Sequence, residues 1–235
     1  MENDRNQRPD PLFPLTYFTE WPSLRSATGR VDIHSLAAFW VSESKVDGPY
    51  LEFGVASGRS AICALRASKF YGEISPKEFF LFDSFQGLPE LKGLDKESNQ
   101  FSQGQFSFGV AQVVDNLEKH RVFDADSIHF VEGFFEDSLK DFRLEDFGYD
   151  KAAIIHIDVD LYESCKSVLE FIERYLQVGT IILFDDWNCF GASNTRGERR
   201  AVREWLTANP HIELNEYASY GWHGKAFIVD LLEQL

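Results

Sequence analysis

The segments Ile154-Ile155-His156-Ile157-Asp158-Val159-Asp160 and Ile181-Ile182-Leu183-Phe184-Asp185-Asp186 decide the fold that this sequence predicts. Each is an isoleucine-rich apolar run that ends in aspartate, which is typical of a buried parallel strand. Residues 164–177 lie between them and have helical spacing, with apolar residues at Val168, Leu169, Ile172 and Leu176. The pattern predicts a strand–helix–strand unit of an α/β fold.

The acidic residues that end these strands form the first candidate site. Right-handed crossovers bring the carboxyl ends of parallel strands to one sheet edge, where ligands bind in open α/β folds. Asp158, Asp185 and Asp186 should converge there, with Asp160 close by. Clustered carboxylates repel each other, so they hold either protons or a cation. Oxygen ligands favour Mg²⁺, with Ca²⁺ or Mn²⁺ as alternatives, unless these aspartates only cap helices or face solvent.

Length, charge and cysteine content limit the class of protein. The 235 residues suit one α/β domain, and a net charge of −15 argues against a nucleic-acid partner. No apolar run approaches the roughly 18 residues of a membrane span, and the polar N-terminus lacks the apolar core of a signal peptide. Cys63, Cys165 and Cys189 have no paired spacing, which predicts neither a disulfide framework nor a zinc site. A cytoplasmic location is expected.

Residues 1–48 form a segment separate from the predicted domain at residues 49–235. Prolines break its first part, and residues 31–44 have the apolar spacing of a helix. One interpretation is a cap or lid over the sheet edge, and the other is a packing or dimer-contact segment. Its aromatic residues make a homo-oligomer a reasonable expectation; they are Tyr17, Phe18 and Trp21.

A strand, a glycine turn and a helix start predict a ligand site between residues 50 and 65. Gly54 and Gly58 would let the backbone approach a ligand closely, and the N-terminus of the helix favours negative groups. The second strand ends in Asp83, which lies 23 residues after Ser60 (83 − 60) and suits ribose hydroxyls. We therefore expect a ligand that contains a nucleoside, with Glu52 and Ser60 flanking the turn.

The same turn argues against a dinucleotide. Counting from Gly54, Ala56 and Arg59 occupy the third and sixth positions, where the dinucleotide fingerprint requires glycine. S-adenosylmethionine is a nucleoside without a bridging diphosphate, so it fits better. A third strand over residues 127–133 ends at Gly133, where the adenine of such a cofactor would lie.

The remaining segments complete the α/β pattern. The long stretch 85–109 reads as a lid beside the ligand edge. Residues 111–120, 136–146 and 196–208 are predicted helices, the second of them solvated. Residues 213–218 and 225–232 are predicted to be the closing pair of strands.

Several motifs together resemble a known family, the macrocin and mycinamicin-type sugar O-methyltransferases, over roughly residues 50–230. These motifs are Glu52-Phe53-Gly54-Val55, Gly58-Arg59-Ser60, Phe82-Asp83-Ser84-Phe85-Gln86-Gly87-Leu88-Pro89, Asp158-Val159-Asp160-Leu161-Tyr162-Glu163-Ser164 and Asp185-Asp186. The resemblance implies a Rossmann-like class I methyltransferase fold, with a mostly parallel seven-stranded sheet and helices on both faces. Expected S-adenosylmethionine contacts are Glu52, Gly54, Gly58, Ser60, Asp83, Ser84 and Gly133. Expected magnesium ligands are Asp158, Asp185 and Asp186.

Three positions depart from the family pattern. His156 stands where a longer basic side chain is expected, Val159 where glycine is common, and Trp187-Asn188 where a tyrosine is usual. These residues line or support the acceptor side, so they leave the substrate open.

The expected function is methyl transfer from S-adenosylmethionine to a metal-bound hydroxyl, on a (deoxy)sugar of a natural product such as an antibiotic. Asp158 is a metal ligand and a candidate base, and Asp160 is the alternative base. His156 and His223 are further candidate bases, but we expect His156 to be a buried histidine satisfied by the backbone and His223 to be a loop residue with no stronger claim. Tyr162 and Trp187 either border the acceptor pocket or cover the sheet end.

Two other functions remain open from the sequence. A metal-dependent glycosyltransferase could use Asp158-Val159-Asp160 to hold a nucleotide-sugar's metal, although this leaves Asp83 and Asp185 without a task. A non-catalytic binding protein on a methyltransferase scaffold is the second.

Overall fold

A single sheet organises the chain. The computed structural model describes residues 28–71, 76–97 and 100–232. Within them, seven strands form the sheet in the order β3-β2-β1-β4-β5-β7-β6. Neighbours from β3 to β5 are parallel, whereas β7 runs antiparallel to β5 and β6. The prediction of a mostly parallel seven-stranded sheet is confirmed.

The strands coincide with the apolar runs of the sequence. In chain order they are β1 (Tyr50–Phe53), β2 (Phe79–Asp83), β3 (Ile128–Glu132), β4 (Ile154–Ile157), β5 (Ile181–Phe184), β6 (Ile212–Tyr220) and β7 (Gly224–Leu231). Every residue of β1, β4 and β5 is buried, as expected for central parallel strands that are covered on both faces.

Helices connect the strands and cover both faces of the sheet. In chain order they are α1 (Thr28–Ser44), α2 (Arg59–Tyr71), α3 (Val110–Lys119), α4 (Phe135–Asp141), α5 (Tyr162–Ile172), α6 (Cys189–Ala192) and α7 (Gly197–Ala208). One face of the sheet packs against α4, α5 and α7, and the other against α1, α2 and α3. Helices on both faces were predicted, and this is confirmed.

The predicted helix over residues 136–146 is wrong in its second half. Helix α4 ends at Asp141, and a short 3₁₀ turn, Leu144–Phe147, follows. Phe142 adopts an extended backbone, and its ring packs against Phe82 at 5.0 Å. A solvated helix would leave this ring in water, so burial of the aromatic side chain ends the helix early.

The register of the sheet sets the position of the site. Phe53 in β1 pairs with Phe82 in β2 and with Ile157 in β4, and Ile157 pairs with Phe184 in β5. The residues that follow these positions are Gly54, Asp83, Asp158 and Asp185. They therefore stand in one row along the carboxyl edge, as the sequence predicted.

Helix α1 belongs to the core of the domain. Ile33, Ala37 and Val41 are buried in the same apolar cluster as the inner face of α2. The indole of Trp40 also donates a hydrogen bond to the carbonyl of Gly179 at 2.9 Å. This packing fits the second interpretation of the N-terminal segment for residues 28–44. The remainder, residues 1–27, lies outside the described residues, so the cap and the homo-oligomer stay predictions.

Two expectations from composition can be compared with the structure. In the part of the chain that the structure describes, no helix is both long and apolar enough to cross a bilayer. The three cysteines are buried thiols that form no disulfide.

The row of strand ends yields a prediction about Gly54. Its φ is +86°, and an added Cβ would lie 1.8 Å from the carbonyl oxygen of Asp158. We expect Gly54→Ala to lower the free energy of unfolding by more than about 4 kcal/mol, because backbone strain and a backbone clash combine. Urea denaturation measures the loss.

Gly148→Ala is the matched control for this change. Gly148 has the same φ of +86°, but an added Cβ would meet no atom within 4 Å. It should cost only the strain of about 1–2 kcal/mol. Equal losses in the two variants would contradict the close approach at Gly54.

Candidate active site

A cavity of about 830 Å³ opens at the carboxyl edge of the sheet. Its wall includes the turn after β1, from Gly54 to Ser57, and the ends of β2 and β3. It also includes the four aspartates that follow β4 and β5, which are Asp158, Asp160, Asp185 and Asp186. The predicted donor turn and the predicted acid cluster therefore face the same cavity.

Asp83 holds the turn after β1 in place. One of its carboxylate oxygens accepts hydrogen bonds from the backbone N–H of Val55 at 2.7 Å and of Ala56 at 3.0 Å. The other oxygen accepts from the N–H of Phe85 at 2.7 Å. Asp83 thus ties the ends of β1 and β2 together, and it also lines the cavity.

The predicted cofactor residues divide into a wall group and a support group. Gly54, Asp83, Ser84 and Gly133 line the cavity. The structure places Glu52, Gly58 and Ser60 behind the wall. These last three residues support the turn through hydrogen bonds: Ser60 donates to Glu52, and the N–H of Gly58 donates to the carbonyl of Val55.

Glu52 is a buried anchor for the start of α2. It is completely buried, and it accepts hydrogen bonds of 2.6 Å from the hydroxyls of Tyr50 and Ser60. Because Ser60 lies in the first turn of α2, this bond fixes the helix N-terminus against β1. The sequence pattern did not distinguish such a support from a direct ligand contact.

The acid cluster is compact and internally bonded. Asp185 is completely buried and Asp186 is 7% exposed. The N–H of Asp160 donates to Asp186 Oδ2 at 2.9 Å, in a turn where Asp160 has a φ of +59°. The thiol of Cys189 donates to Asp186 Oδ1 at 3.2 Å. The side chains of the cluster are therefore held on one rigid turn and one strand end.

Crowding of negative charge shifts the titration of this cluster. Burial, together with Asp186 and Asp158, raises the pKa of Asp160 to about 10. Burial and Asp185 also raise the pKa of Asp186, although Cys189 and His223 oppose this shift. Protonation of one or more of these carboxylates would reduce the repulsion within the cluster.

His156 lies between two buried carboxylates, which corrects the expectation of a backbone-satisfied histidine. Its Nδ1 is 3.9 Å from Glu52 Oε2, and its Nε2 is 4.0 Å from Asp185 Oδ1. At these separations the contacts are ion pairs rather than hydrogen bonds. Burial lowers the pKa of His156, but Asp185 and Glu52 outweigh it and raise this pKa to about 10. The imidazolium thus connects the donor side to the acid side.

His223 has a position that the sequence did not reveal. It lines the cavity, and its Nδ1–H donates a hydrogen bond to the backbone carbonyl of Asp185. Its own carbonyl accepts from the N–H of Asn188 at 2.8 Å. These bonds fasten the turn between β6 and β7 to the end of β5. No local pattern predicts these two bonds, because they join residues that are 38 (223 − 185) and 35 (223 − 188) positions apart.

Tyr162 and Trp187 lie outside the cavity wall. The hydroxyl of Tyr162 donates to Glu204, and Trp187 packs on the rings of Phe184 and Phe227. Of the two interpretations in the sequence analysis, covering the sheet end is the one that the contacts support.

Two buried acids near the site were missed from the sequence. Asp95, in the loop after β2, caps α5 by accepting from the N–H groups of Tyr162 and Glu163 at 3.0 and 3.2 Å. Glu198 is 1% exposed, and its carboxylate oxygens have no hydrogen-bond partner among the described residues. Burial, then Asp186 and Asp185, raise the pKa of Glu198 well above its ordinary value. The sequence contains one sign of this burial, because Glu198 lies on the same helical face as the apolar residues Ala201, Val202 and Trp205.

The described residues contain two neighbouring trios that could hold a metal ion. They are His156–Asp158–Asp185 and Asp186–Cys189–His223, each with ligand atoms within 4.8 Å of one another. The carboxylates among them, together with Asp160, offer a set of hard oxygen ligands. That chemistry fits Mg²⁺ or Mn²⁺ better than a soft metal.

Comparison with known proteins places the chain in a family. The model of the macrocin O-methyltransferases (TylF) matches residues 17–213. The chain belongs to this family. This membership agrees with the resemblance found in the motifs, and it argues against the glycosyltransferase hypothesis.

Relatives in this family modify sugars of natural products. The 8-demethyl-8-(2,3-dimethoxy-alpha-L-rhamnosyl)-tetracenomycin-C 4'-O-methyltransferase of Streptomyces olivaceus is 28% identical over 176 residues, covering 72% of this chain and 65% of the relative. The mycinamicin III 3''-O-methyltransferase of Micromonospora griseorubida is 28% identical over 167 residues, covering 68% and 61%. The chain thus spans less than two thirds of each relative.

A solved structure confirms the fold. The crystal structure of a calicheamicin methyltransferase superposes with a TM-score of 0.72 at 24% identity, covering 93% of this chain and 86% of that one. The Rossmann-like class I methyltransferase architecture predicted from the motifs is therefore correct.

The buried ion pairs of His156 generate a prediction for stability. The pKa of His156 is raised from 6.5 to about 10 on folding, so its stabilisation is complete below pH 6.5 and is lost as the pH rises toward 10. His156→Gln should lower the free energy of unfolding by about 3 kcal/mol at pH 6. The difference from wild type should shrink toward pH 10, measured by urea denaturation.

His129→Gln is the control for this experiment. His129 pairs with Glu78, but both side chains are about a quarter exposed to solvent, at 26% and 29%. Its loss should cost less than about 1 kcal/mol. A His156→Gln protein as stable as wild type at pH 6 would contradict the bridging role.

Proposed function

We propose that this protein is an S-adenosylmethionine-dependent O-methyltransferase that methylates a sugar hydroxyl of a natural product, with a divalent ion in its acid cluster. One observation carries the proposal. The glycine turn of β1 and the four aspartates of β4 and β5 line the same cavity, so a donor and an acceptor can meet there. Membership in the macrocin O-methyltransferase family supports the reaction class.

The donor half of the cavity suits a nucleoside. The turn from Gly54 to Ser57 lines this half of the cavity and begins with a glycine, and α2 begins directly behind it. Asp83 still lines the cavity after bonding the turn, which leaves oxygen lone pairs for ribose hydroxyls. Phe134, which follows Gly133, is 38% exposed in the cavity wall and offers an apolar surface for adenine. The sulfonium of the bound donor supplies the methyl group.

The acid half would hold the divalent ion. Asp158, Asp185 and Asp186 are the proposed ligands, since they end neighbouring strands and face the cavity. The ion would lower the pKa of an acceptor hydroxyl and offset the repulsion within the cluster. Its magnesium identity rests on the oxygen ligands and on this charge.

Asp160 is the proposed general base. Its backbone N–H is fixed to Asp186, so its carboxylate stays beside the ligand set and lines the cavity. The proposed ion would compensate the crowding of negative charge that otherwise raises the pKa of Asp160, so this carboxylate would be ionised and able to accept a proton. It would take the hydroxyl proton while the acceptor oxygen bonds to the methyl carbon and the carbon–sulfur bond breaks toward sulfur. Asp158 remains the alternative base.

Several described residues of the segment after β2 line the cavity, among them Leu88, Gln105 and Phe106. The backbone N–H of Leu88 donates to the carbonyl of Gln105, and the N–H of Gly104 donates to the carbonyl of Leu88, both at 2.9 Å. The ring centroids of Phe101 and of Phe190 in α6 lie 5.9 Å apart. Asp95 fastens the loop to α5. We propose that the described parts of this segment form a cover that limits the access of water to the reacting atoms.

Loss of the proposed ligand set tests this function. Asp185→Asn should reduce methyl transfer from S-adenosylmethionine by at least about a hundredfold, while S-adenosylhomocysteine binds within threefold of wild type. A chelator should have the same effect on the wild-type protein, and added Mg²⁺ should reverse it. The assay measures labelled methyl incorporated into sugar-bearing acceptors.

Asp137→Asn is the matched control. Asp137 also lines the cavity, but its side chain is 82% exposed and pairs with Lys140. This variant should keep wild-type turnover. Undiminished turnover in Asp185→Asn, or in the presence of chelator, would contradict the metal role but not the methyl transfer.

A further inference from the structure

The turn between β6 and β7 carries the most exposed large apolar side chain among the described residues. Trp222 is 72% exposed, yet it lines the cavity together with His223. An indole in water leaves a large apolar area uncovered, which suits a residue that is covered when a ligand binds. The wall at this point belongs to the acid half, next to Asp185 and Asp186.

The turn itself is held rigidly. His223 donates to the carbonyl of Asp185 and accepts from the N–H of Asn188. On the other side, Tyr220 is 5% exposed and its ring covers Gly224, where an added Cβ would lie 2.3 Å from the ring. The indole of Trp222 stands edge-on to the His223 ring, with centroids 4.4 Å apart. A fixed backbone with an exposed ring is a preformed stacking surface.

The charge of the cavity indicates what kind of ring it takes. Ten of the described lining residues are acidic and two, Arg59 and Lys92, are basic. Lys92 already faces Glu136 at 3.9 Å. A divalent ion and a sulfonium donor would reduce the acidic excess without reversing it. The diphosphate of a nucleotide-linked sugar would be repelled by this excess of negative charge, which weakens its binding. An uncharged glycoside would not be repelled.

We propose that Trp222 is the acceptor platform, which stacks on a ring of an uncharged glycoside and, with the acidic wall, selects it over a nucleotide-diphosphate sugar. This inference rests on the proposed methyl transfer. A sugar ring presents a face of C–H groups that packs on an indole, and its hydroxyls at the ring edge can then point toward Asp160. Trp222 thereby sets which acceptor is held, while the aspartates perform the chemistry.

The test compares two rhamnose compounds, chosen because one relative acts on a rhamnosyl group. They are p-nitrophenyl α-L-rhamnopyranoside, which is uncharged, and thymidine-diphosphate rhamnose. Methyl transfer and acceptor affinity are measured with Mg²⁺ and saturating S-adenosylmethionine or S-adenosylhomocysteine. Wild type should bind the uncharged glycoside at least about tenfold more tightly than the nucleotide sugar.

The variants separate stacking from folding. Trp222→Ala should raise KM for the glycoside about tenfold, with kcat and the Kd of S-adenosylhomocysteine within twofold of wild type, because only the acceptor contact is removed. Trp222→Phe should restore most of the affinity. Phe39→Ala removes another exposed aromatic ring, 45% accessible, from outside the cavity wall and should change neither KM nor kcat.

Each other outcome has a distinct meaning. Unchanged glycoside affinity in Trp222→Ala, tighter binding of the nucleotide sugar, or no glycoside binding beside intact S-adenosylhomocysteine binding would overturn the platform. Failure of S-adenosylhomocysteine to bind wild type would instead overturn the proposed function itself.

Discussion

The close approach of Gly54 to the carbonyl of Asp158 is the constraint on which the rest of the site depends. It brings the end of β1, which carries the donor turn, against the end of β4, which carries the acid cluster. Only a residue without a Cβ, in a left-handed conformation, permits this contact. The parallel register then places Asp83 and Asp185 in the same row. The turn after β1 and the acid cluster after β4 are therefore adjacent because the ends of these two strands are in contact.

A buried charge network supports that contact from below. On the donor side, Glu52 accepts hydrogen bonds from the hydroxyls of Tyr50 and Ser60. On the acid side, His156 forms ion pairs with both Glu52 and Asp185. Buried carboxylates are costly unless they are compensated, so this network explains how several acids persist under one cavity. It also accounts for His156 in place of a longer basic side chain. A short imidazolium is sufficient where both carboxylates approach it.

Much of this arrangement could be predicted from the sequence. The isoleucine runs predicted β4 and β5, and the aspartates at their ends predicted the acid cluster, because strand polarity and crossover handedness leave few alternatives. The glycine turn and Asp83 were also predictable, since their chemistry is local. The roles of Glu52 and Ser60 beneath the turn were not, because a residue type alone does not tell a supporting carboxylate from a ligand contact.

Residues whose contacts are far apart in the sequence could not be predicted, and the reason is physical. His223, Asp95 and Glu198 gain their positions from tertiary packing, and their neighbours in sequence carry no matching pattern. Phe142 shows the same effect in the fold, where burial of one ring ends a helix that periodicity extends. The exposed position of Trp222 in the cavity wall was likewise not predictable, because it depends on the contacts of His223 with Asp185 and Asn188.

Calorimetric titration of the metal-free protein with S-adenosylhomocysteine, beside a UDP-sugar, tests the central claim most directly. The donor half of the cavity is built from protein groups alone, so S-adenosylhomocysteine should bind at micromolar concentration without metal, and the UDP-sugar should not bind. Binding of the UDP-sugar only when Mg²⁺ is added, with no heat from S-adenosylhomocysteine, would contradict the methyltransferase account.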